Sequence, residues 1–296
     1  MTTAVATQRT TPTRGQGAVH TAGDVAVETT SHVLLVIWSV IVIVPFLWVV
    51  LSSFKTTKEI LHSPFSLPAH WQLDNYTHAW TDAGIGRFFL NTVLVVASAL
   101  VLVMLLGAMC AYVLARFRFP GRRLIYVLML GGLVFPVFLV IVPLFFVLKD
   151  VGLLNTLPGL TLTYVAYALP FTVFFLYAFF KTLPDDVYEA ALIDGAGEWR
   201  TFFQIMLPMA GPGMASVAIF NFLGLWNQFL LPVALNTNPD HYVLTQGMAR
   251  FASGSGYSID FGSLYAAIVM TVVPVLVVYL VFQRRLAGAL SAGTFR

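Results

Sequence analysis

Six long runs without a charged residue alternate along this chain with short polar stretches. The runs cover residues 33–54, 88–115, 124–148, 157–180, 209–233 and 263–282, and none contains Asp, Glu, Lys or Arg. Each reaches the roughly 20 apolar residues that a helix needs to cross a bilayer core. Backbone polar groups in hydrocarbon must bond one another, so the pattern predicts an all-α integral membrane protein with six transmembrane helices. Residues 1–30 are Thr-rich and without apolar period, which predicts a disordered cytoplasmic tail ahead of one transmembrane domain, 31–296. The polar lead and the length of the first run fit a signal-anchor helix better than a cleaved leader.

Composition agrees with the pattern. The chain is 58% hydrophobic and 10% charged, with a mean hydropathy of +0.84. Such a balance does not suit a soluble domain. The net charge of +3 is small, and the basic residues form no patch interleaved with aromatics, which argues against nucleic acid. Their placement instead sets an orientation. With the N-terminus inside, the cytoplasmic segments hold Arg9, Arg14, Arg116, Arg118, Arg122, Arg123, Lys181, Arg200, Arg284, Arg285 and Arg296. The outer segments hold only Lys55, Lys58, Arg87, Lys149 and Arg250. This excess predicts that both termini are cytoplasmic. Cys110 is the only cysteine, so no intrachain disulfide or cysteine-cluster metal site exists.

The outer segment 55–87 carries Pro64 and Pro68, which argue against a long helix, and aromatics suited to the membrane interface. His62, His70 and His78 recur at a spacing of eight, but no cysteine or close carboxylate pair joins them as metal ligands. The outer segment 234–262 has turn chemistry at Asn238-Pro239-Asp240 and a Gly-Ser run at 253–256. Its length leaves two readings, a docking surface for an external protein or plain slack. No ionisable residue lies at membrane depth to couple transport to protons or ions. No phosphate-cradling loop is present, and no acid, base or metal ligand sits in a span. Energy for any work done by this chain therefore comes from another chain.

The most patterned polar segment is 181–208, between the fourth and fifth runs. Pro184 opens a helix whose positive end is crowded by Asp185, Asp186 and Glu189. Ala190 and Ala191 are small surface positions that let a partner's groove approach. Gly195 supplies the positive φ that ends the helix, and a second short helix runs from Glu198 towards Met206, with Pro208 at the entry to the fifth span. A helix lying passively on lipid is the alternative, but five acidic residues (185, 186, 189, 194 and 198) stand against Lys181 and Arg200. Anionic lipid repels such a helix, which favours docking to a protein.

These residues carry a resemblance. Glu189-Ala190-Ala191, then Asp194-Gly195-Ala196, then Ile205 and Leu207-Pro208 resemble the EAA loop of bacterial ABC importer permeases. The stretches PFLWVVLSSFK at 45–55, SPFSLPAHWQLDNYTHAW at 63–80, LNTVLV at 90–95 and AYVLARFRFPG at 111–121 are similar to the smaller, second permease of maltose-type carbohydrate importers. The resemblance implies a type I importer core in the bacterial inner membrane and a coupling loop at 181–208. It also implies a second permease as heterodimer partner, two ATP-binding subunits and an extracytoplasmic solute-binding protein. ATP and Mg would bind those ATPase subunits, with no cofactor or metal on this chain and no enzyme activity of its own. Two features depart from the family. Gly197 stands where Ser or Thr often caps the second short helix, and the C-terminus ends in SAGTFR in place of a Gly- and Lys-rich tail.

In the fifth run Asn221, Gly224 and Gln228 fall near one helix face, with Trp226 and Asn227 adjacent. Amides and an indole suit a neutral polyol, because they bond and stack without needing a counter-charge. The same amides also serve as glue between membrane helices, and both readings stay open. Asn91, Tyr164 and Tyr167 are further solute-path candidates. A permease for another solute, such as a phosphorylated polyol or a peptide, and a facilitator or scaffold outside the ABC class are the alternatives.

Overall fold

A computed structural model describes residues 22–254 and 259–292. Among the described residues the regular structure is helical, without a strand. The chain divides into two units, 1–48 and 49–296. The described part of the first belongs to helix α1, Ala22–Ser52. Its side chains from Val33 to Val44 are exposed and almost all apolar, as a helix solvated by hydrocarbon requires. This helix begins at Ala22, within the stretch expected to be a tail. Residues 1–21 lie outside the described ones. The nine residues from Ala22 to Thr30 contain no Pro or Gly other than Gly23, so the helix continues through them.

The second unit is built around two long helices, α4 (Ile85–Arg116) and α7 (Leu157–Thr182), which make the most extensive helix pair. Small residues let them approach closely: a Cβ on Gly107 would lie 2.4 Å from Thr172 Cγ2. Val95, Ala99, Val103, Ala108 and Ala111 of α4 and Leu176 and Phe180 of α7 fill the core between them. Between these helices lie α5 (Arg122–Val134) and α6 (Val137–Asp150). The polar elbow follows α7 as α8 (Asp185–Ile193) and α9 (Glu198–Thr201), then a π turn and the short α10 (Leu207–Met209). After it come α11 (Gly211–Trp226), α12 (Leu230–Leu235), α13 (Leu244–Ser253) and α14 (Phe261–Ala292).

Among the described residues four helices are long and apolar enough to span a membrane, and two bent pairs bring the number to six if each counts as one span. The third expected run, 124–148, is therefore not one straight helix. It breaks at Phe135-Pro136, and α5 and α6 meet at 107°. Pro136 has no N–H to continue the ladder, and Phe135 before it takes an extended ψ of 123°. The fifth run also departs from expectation. The stretch from Glu198 to Met209 meets α11 at 76°, and α11 ends at Trp226, well short of residue 233. Asn227 turns its side-chain amide onto the Leu223 carbonyl at 2.8 Å. Pro232 cannot donate to the Gln228 carbonyl, which accepts instead from the Thr245 hydroxyl at 2.8 Å.

At the end of α4 away from the elbow, two polar segments are held in place. The first contains α2 (Thr57–His62), opened by a capping box between Thr56 and Glu59, and α3 (Asp74–Thr81). The second, 234–262, has more structure than its turn chemistry predicts. Pro239–His241 forms a 3₁₀ turn capped by the Asn238 side chain, and α13 follows. Gln246 donates to the Pro232 and Asn236 carbonyls at 3.0 and 2.7 Å, and the Leu244 N–H donates to Thr92 Oγ1 at 2.7 Å. Residues 255–258, which include the second half of the Gly-Ser run, and the end of SAGTFR lie outside the described residues.

Candidate functional site: the polar elbow and the intramembrane groove

The elbow folds as its sequence dictates. Gly195 has φ +77°, and α8 closes on it with a Schellman pair of bonds. The Ala196 N–H reaches the Ala191 carbonyl and the Gly195 N–H reaches that of Leu192, both at 3.0 Å. Glycine takes this conformation without the strain a Cβ brings. Gly197 opens α9 in an extended conformation with no side-chain cap, in keeping with the missing Ser or Thr. The two arms are joined by Tyr188, whose hydroxyl donates to Glu198 Oε1 at 2.9 Å. Burial first, and then the Glu198 carboxylate beside it, push the Tyr188 phenol above its ordinary pKa.

Glu189, Ala190, Asp194, Gly195 and Gly197 are exposed on the elbow, and Ala196 is half-buried. Ala191 corrects the expectation of two surface alanines: it is 5% exposed and faces inward. Ile205 and Leu207 are half-buried and Pro208 exposed, beyond a π turn over Phe202–Met206. A cluster of exposed apolar side chains stands beside the acidic ones. Ile193 is 86% exposed and Trp199 66%, and Trp199 stacks on Phe203 with centroids 6.0 Å apart. Apolar side chains rimmed by charge on a protruding elbow are what a docked protein would cover.

The elbow is tied to the membrane helices by residues that the loop pattern does not reveal. Arg116, in the last turn of α4, pairs with Asp185 and donates to the Leu183 carbonyl at 2.7 Å. The Tyr112 ring packs on Phe202 at 5.0 Å and Phe180 at 5.6 Å.

The solute-path candidates separate. A groove of about 690 Å³ opens at the α5–α6 break and is lined by Gly132, Phe135, Thr163, Tyr167, Phe171, Phe220, Asn221 and Gly224, among others. Asn221 and Gly224 therefore reach it, as does Tyr167. Asn221 is only 4% exposed, and its amide donates to Thr172 Oγ1 at 2.8 Å, so it also joins α11 to α7. The other five lie elsewhere. Trp226 is buried and donates to the Thr271 carbonyl at 3.2 Å. Asn227 caps its own helix, and Gln228 lies beyond the end of α11. Asn91 donates to the Asp240 and Tyr242 carbonyls at 3.0 and 2.9 Å, holding the 3₁₀ turn to α4. Tyr164 is buried in the core. The single-face reading of 221–228 fails because α11 stops before Gln228. Among the described residues no three His, Cys, Asp or Glu come together as metal ligands.

A multi-pass helical bundle with a broken-helix groove and an exposed polar elbow defines a membrane permease subunit, with no motor among its described elements. Residues 103–291 match the family described as the binding-protein-dependent transport system inner membrane component, and the chain belongs to that family. It is the permease subunit of an ABC importer. It is 76% identical to the diacetylchitobiose uptake system permease protein NgcG of Streptomyces coelicolor, over 90% of this chain and 88% of that protein. It is 32% identical to the trehalose transport system permease protein SugB of Mycobacterium tuberculosis, over 86% of this chain and 92% of that one. A crystal structure of a bacterial ABC transporter involved in the import of the acidic polysaccharide alginate shares the fold. The TM-score is 0.78 at 20% identity, over 89% of this chain and 98% of that one.

Proposed function

We propose that this chain is one of two permeases in an ATP-driven importer of diacetylchitobiose. The observation that carries this reading is the 76% identity, over nine-tenths of the chain, to a diacetylchitobiose uptake permease. The groove is compatible with it. Tyr167, Phe171 and Phe220 offer aromatic walls against which sugar rings stack. The one amide there, Asn221, is already bonded to Thr172. A second permease then supplies most of the hydrogen bonds to the sugar.

In this reading one of two ATPase subunits grips the elbow over Glu189–Gly197 and its exposed apolar cluster, and ATP and Mg are held by those subunits alone. An external binding protein delivers the sugar to the opposite end of the bundle, and both termini are cytoplasmic. Purification of the chain with its genomic neighbours, followed by reconstitution in vesicles, tests the solute. Diacetylchitobiose should stimulate ATP hydrolysis and be taken up in the presence of the binding protein, ahead of trehalose and of monosaccharides. Stimulation by trehalose alone would reject this solute while keeping the importer class.

A further inference from the structure

The elbow is fastened to the membrane helices at one corner, where the last turn of α4 meets both of its arms. Arg116 makes the link to the first arm. It pairs with Asp185, and its Nη2 donates to the Leu183 carbonyl at 2.7 Å. The Arg116 side chain is 7% exposed, whereas that of Asp185 is 80% exposed. The pair thus joins a cation held inside the bundle to a carboxylate on the protruding elbow. Phe117 meets the Tyr188 ring edge-on at 6.4 Å, and Tyr112 meets Phe202, just beyond the second arm, at 5.0 Å.

The corner is incompletely satisfied. Among the described residues, Tyr112 Oη, Arg116 Nε and Thr201 Oγ1 are buried with no hydrogen-bond partner. Buried polar groups are ordinarily paired, and leaving one unpaired carries a cost that another arrangement can relieve. A guanidinium fork with one donor still free can keep hold of the elbow while changing which group it bonds. Two unpaired polar atoms on α4 where it meets the elbow, with a third on α9 next to Phe202, thus describe a joint with more than one way to close.

We propose that Arg116 is a positioning residue for coupling: it latches the elbow to α4, and through this latch displacement of the elbow becomes displacement of the membrane helices. The proposal rests on the reading that an ATPase subunit grips the elbow. The helix it acts on, α4, is the one packed most extensively on α7, which lines the groove. The lever therefore needs no contact with solute.

The test uses the whole complex in vesicles, with the partner permease, ATPase subunits and binding protein. A Cys110→Ala background carries an Ile193→Cys crosslinking site on the elbow. In Arg116→Met the crosslink to the ATPase subunit and the ATPase rate should remain. Sugar taken up per ATP hydrolysed should fall about five- to tenfold, a loss within the usual range of coupling between sites. Arg116→Lys should recover part of the loss, because it keeps the charge but not the fork. If Arg116→Met fails to assemble, Asp185→Asn decides the matter, with a smaller drop in the same ratio expected. An unchanged uptake-to-hydrolysis ratio in the assembled variant overturns the latch and leaves the docking reading intact. Absence of the crosslink in the parent complex overturns the docking reading itself.

Discussion

Gly195 concentrates the residue-scale argument. Its φ of +77° is needed for the Schellman closure of α8, yet a Cβ placed there would meet nothing of this chain within 4 Å. Two substitutions therefore separate strain from docking. Gly195→Ala should cost only the left-handed penalty, about 1–2 kcal/mol, and should leave uptake largely in place. Gly195→Asp adds a charged side chain where a partner would lie, and it should leave the protein in the membrane while abolishing uptake. Normal uptake by Gly195→Asp would refute the docking role. At the other end of the bundle, Glu59 is held below its ordinary pKa first by the backbone N–H of Thr56, and also by that of Ala69. A depressed carboxylate stabilises the fold above its unfolded pKa, and the contribution is lost as pH falls through the folded value. The protection of the α2 amides, meaning their exchange corrected for its intrinsic pH dependence, should accordingly fall below about pH 4, the ordinary carboxylate range. Glu59→Gln should make that protection insensitive to pH in the same range.

At the scale of elements, the apolar runs located the spans but not their breaks. Runs one, two, four and six became continuous helices, because nothing in them deprives the ladder of donors in a way that packing does not absorb. Pro170 and Pro274 sit inside α7 and α14 without ending them, while Pro136 stands at the 107° bend between α5 and α6. Proline alone does not separate these cases. A close contact does, since a Cβ on Gly132 would lie 2.8 Å from Pro170 Cγ, and the glycine lets the bent α5 close on α7. α13 was hidden for a different reason. Its stability comes from long-range bonds of Gln246 and Leu244 to distant carbonyl and hydroxyl groups, which no local pattern announces. The α4–α7 seam was legible only in hindsight from the small residue at 107. Gly107→Leu should force these helices apart, lowering the thermal stability of the detergent-solubilised protein by about 1–3 kcal/mol. Gly131→Ala, with open space around it, should change stability far less.

At the scale of the whole molecule, the elbow was legible in the sequence because its chemistry is local: an acidic first turn, a glycine stop and a proline entry. The groove was not, because it is assembled from α5, α6, α7, α11 and α12 around the α5–α6 break. Only Asn221 and Gly224 of the six foremost solute-path candidates reach it, with Tyr167 from the wider set. Polarity in a span pointed equally to solute and to glue, and the fold uses Trp226 and Asn91 as glue and Asn227 as a cap on its own helix. The molecule that results has a groove at the α5–α6 break and a polar elbow at the far end of α4. The Arg116 corner lies about two and a half turns along α4 from the Gly107 contact with α7.

The account stands on the claim that force enters this permease from another chain through residues 189–197. The most direct measurement places single cysteines at Ile193 and, as a distant control, at Lys149 in the assembled importer, and follows disulfide crosslinking to the ATPase subunit with and without ATP. The account predicts an adduct from Ile193→Cys whose yield shifts with nucleotide, and none from Lys149→Cys. Equal yields from both positions, or no adduct from the elbow under any nucleotide condition, would contradict it.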